Sequence, residues 1–335
     1  MSSGVTDIYQ PLEKELKLTR KALELLAPAG VPIVLLTKND LIVRDFDILA
    51  EFPHVLVGVT LTTANPEKAA VLEPGASPPQ ERLEIIRKAK QRGFSSGIYA
   101  MPLCPGITGT PEETERLFSA AREAGADFIY PGGLTLRPGC QKDLFVETVK
   151  HNYPDVLSLY DMVYRENRQS GIPLPAYEYP LILGRNKMLE EMGMPQMVPH
   201  RVYRDLLAPP DSLFVLLIHM ENLYSLHKTD TAPLKKATGR YAEWLKTERT
   251  ALRRKKYLPD GNGPFPLTGI LTSKLEQACA AYYNTYNKTY YKCYNKPENS
   301  ISIADILGNE KLAAFVSEII LENKYLDYTT LTLRT

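Results

Sequence analysis

From residue 32 to residue 131 the chain alternates apolar runs with amphipathic stretches, and that alternation restricts the fold more than any single motif. Pro32-Ile33-Val34-Leu35-Leu36-Thr37-Lys38 is a continuous apolar run ending in polar residues, as befits a strand covered on both faces. Val55-Leu56-Val57-Gly58-Val59-Thr60-Leu61-Thr62-Thr63 and residues 95–101 and 127–131 read as further strands. Helix signals fall between them. Residues 13–27 place Leu16, Leu23 and Leu26 on one face before Pro28-Ala29-Gly30 stops the pattern. A short helix is expected over 41–51. Asn65 caps another, with Pro66 at its first position and Glu67 in its first turn. Residues 81–91 form a helix closed by Gly93, and Thr110-Pro111-Glu112-Glu113 opens one that Gly125 ends. Strands separated by helices require right-handed crossovers and hence a parallel sheet.

Thr6 and Asp7 follow Ser3-Gly4-Val5, a stretch that reads as the end of one more strand running into a polar loop. The expected fold is therefore α/β, a partial parallel (β/α)6-type barrel lacking its first βα unit. Its strand at Thr6 would be an exposed sheet edge, prone to pairing, which an upstream fragment or another subunit is expected to cover. From about Arg137 the rhythm gives way to Tyr- and Pro-rich segments and helices over 211–226, 241–257, 272–283 and 303–323. The division expected is a barrel over 1–150 and a mainly helical extension over 151–335, with hinges near 173–180 and 259–266.

Composition narrows the function classes. Lys+Arg 40 against Asp+Glu 39 leaves a net charge of +1, so no global field recruits nucleic acid or an anionic membrane. No apolar run approaches the roughly 20 residues that span a bilayer. The amino terminus lacks the basic and apolar regions of a signal peptide, and a cytoplasmic location is expected. Cys104, Cys140, Cys279 and Cys293 are too scattered for a disulfide framework or a tight metal site.

Active sites of such barrels lie at the carboxyl ends of the strands. There the sequence offers Thr6 and Asp7, Lys38, Thr60 and Thr62, the Met101-Pro102 loop with Cys104, and Tyr130. A lysine, hydroxyls and a carboxylate around one opening suit a zwitterionic small molecule, the lysine pairing a carboxylate and the oxygens accepting from an amine or ribose. Each of these residues also has a plain reading as a solvated lysine or an ordinary strand threonine. Cys104 is either a hydrogen-atom donor at the mouth or a small buried residue beside Pro105. Lys38 could also serve as a Schiff-base nucleophile.

Several of these residues carry a resemblance. Thr6-Asp7-Ile8-Tyr9-Gln10-Pro11-Leu12-Glu13, Thr37-Lys38-Asn39, Val59-Thr60-Leu61-Thr62-Thr63, Leu72-Glu73-Pro74-Gly75-Ala76-Ser77 with Arg82-Leu83-Glu84, and Pro102-Leu103-Cys104-Pro105-Gly106 occur in that order over roughly residues 3–165. The set resembles radical SAM proteins of the spore-photoproduct-lyase-like family, often labelled DNA repair photolyases. The resemblance implies a partial (β/α)6 barrel holding S-adenosylmethionine and a [4Fe-4S] cluster on three cysteines, whose reductive chemistry yields a 5′-deoxyadenosyl radical. It assigns Thr6 to a hydroxyl position near S-adenosylmethionine, Lys38 to its carboxylate, and Thr60 to a hydroxyl on the next strand. The family's CxxxCxxC loop precedes the position of Thr6-Asp7. That segment is expected on a longer reading frame, on a split gene, or lost. Gly4 and Val5 stand where the lyase itself has a hydrogen-donating cysteine, and Gly109 where relatives often carry an acidic residue.

A contrasting reading is a cluster-less partner that binds nucleic acid or protein through its extension. Lys246, Arg249, Arg253, Arg254, Lys255 and Lys256 lie beside Tyr241, Trp244 and Tyr257, a pattern that can grip phosphates and stack bases but more often forms a solvated helix face. Tyr282, Tyr283, Tyr286, Tyr290, Tyr291 and Tyr294 offer packing or an interaction surface. His219 and His227 lack a third ligand and are given no metal role.

Overall fold

The computed structural model describes residues 6–254, 266–286 and 301–335. Four strands, β1 (Ile33–Thr37), β2 (Val55–Thr60), β3 (Ser95–Leu103) and β4 (Ile129–Gly133), form one sheet in the order β1-β2-β3-β4. Every pairing is parallel, as the intervening helices require. The strand expected at the amino terminus falls on residues 1–5, outside the described residues. Among the described residues β1 pairs with β2 alone, and Val34 is exposed.

Apolar sequence explains the central position of β2, which is buried at all of its positions. Val57 and Val59 join Leu35, Ile98, Ala100 and Ile129 in a core that the helices Pro79–Gln91 and Pro111–Glu123 cover with Ile85, Ile86, Leu117 and Phe118. Gly58 is needed here for space. A Cβ at this position would lie 2.7 Å from the Tyr99 ring.

Three helices differ from their sequence patterns, each for a local reason. The helix expected over 13–27 is broken at Lys17, whose φ of 51° is left-handed, into Glu13–Leu16 and Leu18–Leu26. The buried Glu13 carboxylate accepts from the Thr19 and Arg20 amides at 2.9 and 3.3 Å, capping the second piece. The phase change leaves Leu16 and Leu26 exposed while Leu23 stays buried. Residues 40–49 form a 3-10 turn, Asp40–Asp45, followed by Phe46–Leu49, because Asn39 caps the segment on the Leu41 amide. The expected helix over 303–323 is two helices, Ile303–Leu307 and Glu310–Leu321, separated by Gly308 at φ 65° and the Asn309 cap.

The compact units are 1–199 and 200–335, so the boundary falls at Pro199/His200 rather than at residue 150. The reason lies in the helix Pro175–Glu191, which contributes Leu189 to the core of the sheet, with Met188, Met192 and Met194 packed alongside. The Ile129 amide donates to the Pro195 carbonyl at 2.9 Å. This helix also corrects the hinge expected near 173–180. Pro175 opens it and Pro180 is accommodated within it. The second expected hinge, near 259–266, lies outside the described residues apart from Pro266, which begins a helix.

The second unit contains the helices Pro209–Leu226, Ala232–Arg254, Pro266–Tyr286, Ile303–Leu307 and Glu310–Leu321. It ends in an antiparallel hairpin, β5 (Tyr325–Asp327) and β6 (Thr332–Arg334). Buried aromatic and imidazole groups hold that hairpin. His200 Nδ1 accepts from the Leu326 amide at 3.0 Å, while Tyr328 OH meets His219 Nδ1 and Tyr203 OH, each at 2.8 Å. Burial pushes His200 down to about 3 and His219 down to about 4. The unfolded chain therefore binds more protons than the native one once pH falls below the ordinary histidine value near 6.5. Stability is retained above that value and drains away below it, approaching about 1.4 kcal/mol per pH unit for each imidazole. Urea unfolding followed between pH 7.5 and 5 should show this decline, and His219→Gln should reduce its slope to roughly half, the share left to His200. A profile that is level over that range contradicts the assignment.

Candidate functional site

Parallel strands all point one way, so their carboxyl ends gather the loops that follow them. Lys38, Thr60 and Thr62 stand at the ends of β1 and β2, and Cys104 follows β3. What joins them is a residue to which the sequence reading gave no role. Glu73 closes the helix Pro66–Leu72 and turns its carboxylate inward, leaving that side chain 7% exposed. Lys38 Nζ lies 2.6 Å from Oε1, and Arg82 Nη1 donates to Oε2 at 2.9 Å. The Thr62 hydroxyl donates to the same Oε2. Burial opposes ionisation of Glu73, but the Arg82 and Lys38 cations and the Thr62 hydroxyl outweigh it and hold the carboxyl below its ordinary range.

Arg82 comes from the first turn of the helix Pro79–Gln91 and is 1% exposed. Its Nη1 also donates to the Thr60 carbonyl at 2.9 Å, so Thr60 enters this network through its backbone. The Lys38 side chain, by contrast, is 39% exposed. The cluster thus pairs one buried carboxylate with a buried guanidinium and with an ammonium that reaches water. For a Schiff-base nucleophile, which needs an apolar pocket or a neighbouring cation, an ion pair of this kind is poor company.

Asp7 is occupied differently. Its carboxylate accepts from Thr37 Oγ1 at 2.8 and 2.9 Å, from the Lys38 amide at 2.7 Å and from the Tyr9 amide at 2.9 Å. Those donors pin the end of β1 beneath Lys38. Ser77 supports the following turn, its amide donating to the Lys38 carbonyl at 3.1 Å and its hydroxyl to Asp40 at 2.7 Å. Thr6 is exposed at the start of the described chain.

The loop after β3 is built around Cys104. Its carbonyl accepts from the Ile107, Thr108 and Gly109 amides, and its own amide donates to Thr108 Oγ1 at 2.8 Å. The thiol is 1% exposed and burial pushes it up to about 12, with Glu73 raising it further and Lys38 lowering it. Cys104 is thus a buried, protonated thiol. A second buried carboxylate, Glu113, fastens this loop. It lies 3.1 Å from Lys68 Nζ and accepts from Thr63 Oγ1 at 3.2 Å, while Lys68 donates to the Ile107 carbonyl at 3.0 Å.

Gly109, where relatives often carry an acid, sits against Arg185. A Cβ there would come within 3.4 Å of Arg185 Nη2 and 3.0 Å of the Cys104 carbonyl oxygen. The Arg185 side chain is 6% exposed and finds its carboxylate in Glu178, at 2.9 Å. Glu178 in turn passes over Gly133 at the end of β4, where a Cβ would lie 2.5 Å from its Oε1.

The basic segment of the second unit is partly neutralised. Arg249 pairs with Asp211 at 2.6 Å and Lys246 with Glu243 at 3.8 Å. Tyr241 is fully buried and donates to the Pro210 carbonyl at 2.9 Å, so it offers no open stacking face. The side chains of Arg253 and Arg254, and all of Lys255, Lys256 and Tyr257, lie outside the described residues. Tyr282 and Tyr283 donate to the Glu310 carbonyl and the Glu322 carboxylate. Tyr286 (as a side chain), Tyr290, Tyr291 and Tyr294 are outside the described residues. His219 is committed to Tyr328.

Comparison with known proteins agrees with the position of the sheet. Residues 1–133 match the family described as the Radical SAM superfamily, a span that takes in all four parallel strands. An uncharacterized protein of Mycobacterium tuberculosis is 30% identical over 211 residues, covering 62% of this chain and 58% of its own length. An uncharacterized protein of Acidianus two-tailed virus is 32% identical over 134 residues, 39% of this chain and 44% of that protein. One from Methanocaldococcus jannaschii is 26% identical over 153 residues, 46% and 56% of the two chains. The chain thus spans well under two thirds of the length of these relatives. No solved structure matches. Among the described residues no three His, Cys, Asp or Glu side chains stand together as a metal site, and no helix is long and apolar enough to cross a membrane.

Thiol accessibility tests the cysteine geometry. Cys104 and Cys279 are buried and Cys140 is exposed. A water-soluble thiol reagent followed by peptide mapping should label Cys140 in the native protein and reach Cys104 and Cys279 only on unfolding. Rapid native labelling of Cys104 contradicts the burial described.

Proposed function

We propose that the sheet unit is the S-adenosylmethionine-binding part of a radical SAM enzyme of the spore-photoproduct-lyase-like family, its strands forming part of a (β/α)6-type barrel. The observation that carries this reading is the Lys38–Glu73–Arg82–Thr62 cluster at the strand ends, within the stretch that matches the superfamily. The donor set fits the amino-acid end of the cosubstrate. Lys38 presents a water-accessible ammonium suited to a carboxylate. Asp7 and Thr37 hold the backbone that carries it.

A [4Fe-4S] cluster is a different matter. The described cysteines Cys104, Cys140 and Cys279 form no trio, and the described residues do not fit a cluster. In this reading its thiolates come from outside the described residues. A reduced cluster brought to this site would supply the electron for hydrogen-abstracting chemistry on S-adenosylmethionine. What this chain contributes is the cation that orients the cosubstrate and the buried loop around Cys104 that closes the strand ends.

Calorimetry with S-adenosylmethionine and with 5′-methylthioadenosine, which lacks the amino-acid group, tests the reading. The full-length cosubstrate should bind more tightly by about tenfold or more, the scale of a charge-assisted hydrogen bond. Lys38→Met should erase that preference. Equal affinities in the native protein overturn the assignment.

A further inference from the structure

We infer that Glu73 is a positioning residue that sets Lys38 for recognition of a ligand carboxylate, so that selectivity for the amino-acid end of the cosubstrate depends on a carboxylate that does not itself bind the ligand. The inference rests on the cosubstrate reading above and adds to it a residue outside the cation itself.

A lysine ammonium sits on a flexible four-carbon stem with about 2 kcal/mol of rotamer entropy, so an unsupported lysine is a poorly aimed point charge. Lys38 is supported. Glu73 Oε1 lies 2.6 Å from its Nζ, and Glu73 is itself fixed on its other oxygen by Arg82 and Thr62. The two supports differ in exposure. Arg82 is 1% exposed and also tied to the Thr60 carbonyl, so it is a permanent buried partner. Lys38 is 39% exposed, and its ammonium has three donors. The ion pair with Glu73 does not use up the three donors of the ammonium, so an incoming carboxylate need not break it. Asp7 fixes the backbone at the same residue through the Lys38 amide at 2.7 Å. Main chain and side chain of Lys38 are therefore held from two sides by two acids, which narrows the lysine's choice of rotamers before a ligand arrives.

The test is a double-mutant cycle on the full chain, read by calorimetry with S-adenosylmethionine and 5′-methylthioadenosine. Glu73→Gln should weaken S-adenosylmethionine by about fivefold, the scale of a partly exposed ion pair, and leave methylthioadenosine unchanged. In the Lys38→Met background the same change should have no further effect, because its influence passes through Lys38. Glu73→Gln leaves the Arg82 cation buried without its partner, a change that can unfold the domain. The paired variant Glu73→Gln/Arg82→Met removes both buried charges together and carries the same expectations. Unchanged or tighter S-adenosylmethionine binding overturns the inference. So does an equal loss for both ligands, which would make Glu73 a general support of the pocket. A native protein that does not distinguish the two ligands instead refutes the cosubstrate reading itself, a separately recognisable outcome.

Discussion

A carboxylate buried at the end of a parallel sheet stays ionised only if cations and hydroxyls replace its water, and Glu73 meets that condition through Arg82, Lys38 and Thr62. Much of the geometry at the strand ends depends on this pairing. Arg82 reaches from its helix to the Thr60 carbonyl at the end of β2, Lys38 comes from the end of β1, and Glu73 itself closes the helix between them. Removing Glu73 or Arg82 strands the other's charge in the interior, a change that costs on the order of 3–5 kcal/mol in buried pairs. The same cluster that fastens the strand ends also presents the exposed ammonium. In the proposed reading, fold stability and ligand recognition are therefore linked through one acid.

Glu113 repeats the device one connection further along. It joins Thr63, Lys68 and, through Lys68, the Ile107 carbonyl, so the turn built on the Cys104 carbonyl is held from outside as well as within. Arg185 and Glu178 form a third buried pair, over Gly133. Charged residues at these strand ends are thus paired rather than loose, and both Lys38 beside Glu73 and Arg116 beside Glu113 keep substantial exposed surface. The second unit is assembled on other terms. Among its described residues, buried imidazoles and phenols tie the hairpin to its helices, which makes this part of the unit sensitive to acid.

The parallel sheet was legible because long apolar runs and capped helices are local signals. Asn65, Thr110 and the run through β2 could be read without knowing their partners. Lys38 and Thr62 were legible as polar residues at strand ends. Glu73 was not, although its segment could be quoted as a motif. A glutamate in a Pro- and Gly-rich stretch looks solvated, and only the approach of Arg82 and Lys38 in space makes it buried. The break at Lys17 was hidden for a similar reason, since the Glu13 carboxylate that caps the second piece acts through folded geometry. The rhythm of strands ends before the helix Pro175–Glu191, which nonetheless packs Leu189 into the core of the sheet, a contact no local pattern announces.

The central claim is that the ends of β1 and β2, joined by Glu73, form the place where an adenosyl amino acid docks. Hydrogen exchange by mass spectrometry, with and without saturating S-adenosylmethionine, reads this along the chain. Docking there gives added protection in peptides covering 37–40, 60–63 and 73–77, with the helices of the second unit unaffected. Protection confined to other segments, or no change at saturating ligand, would contradict it.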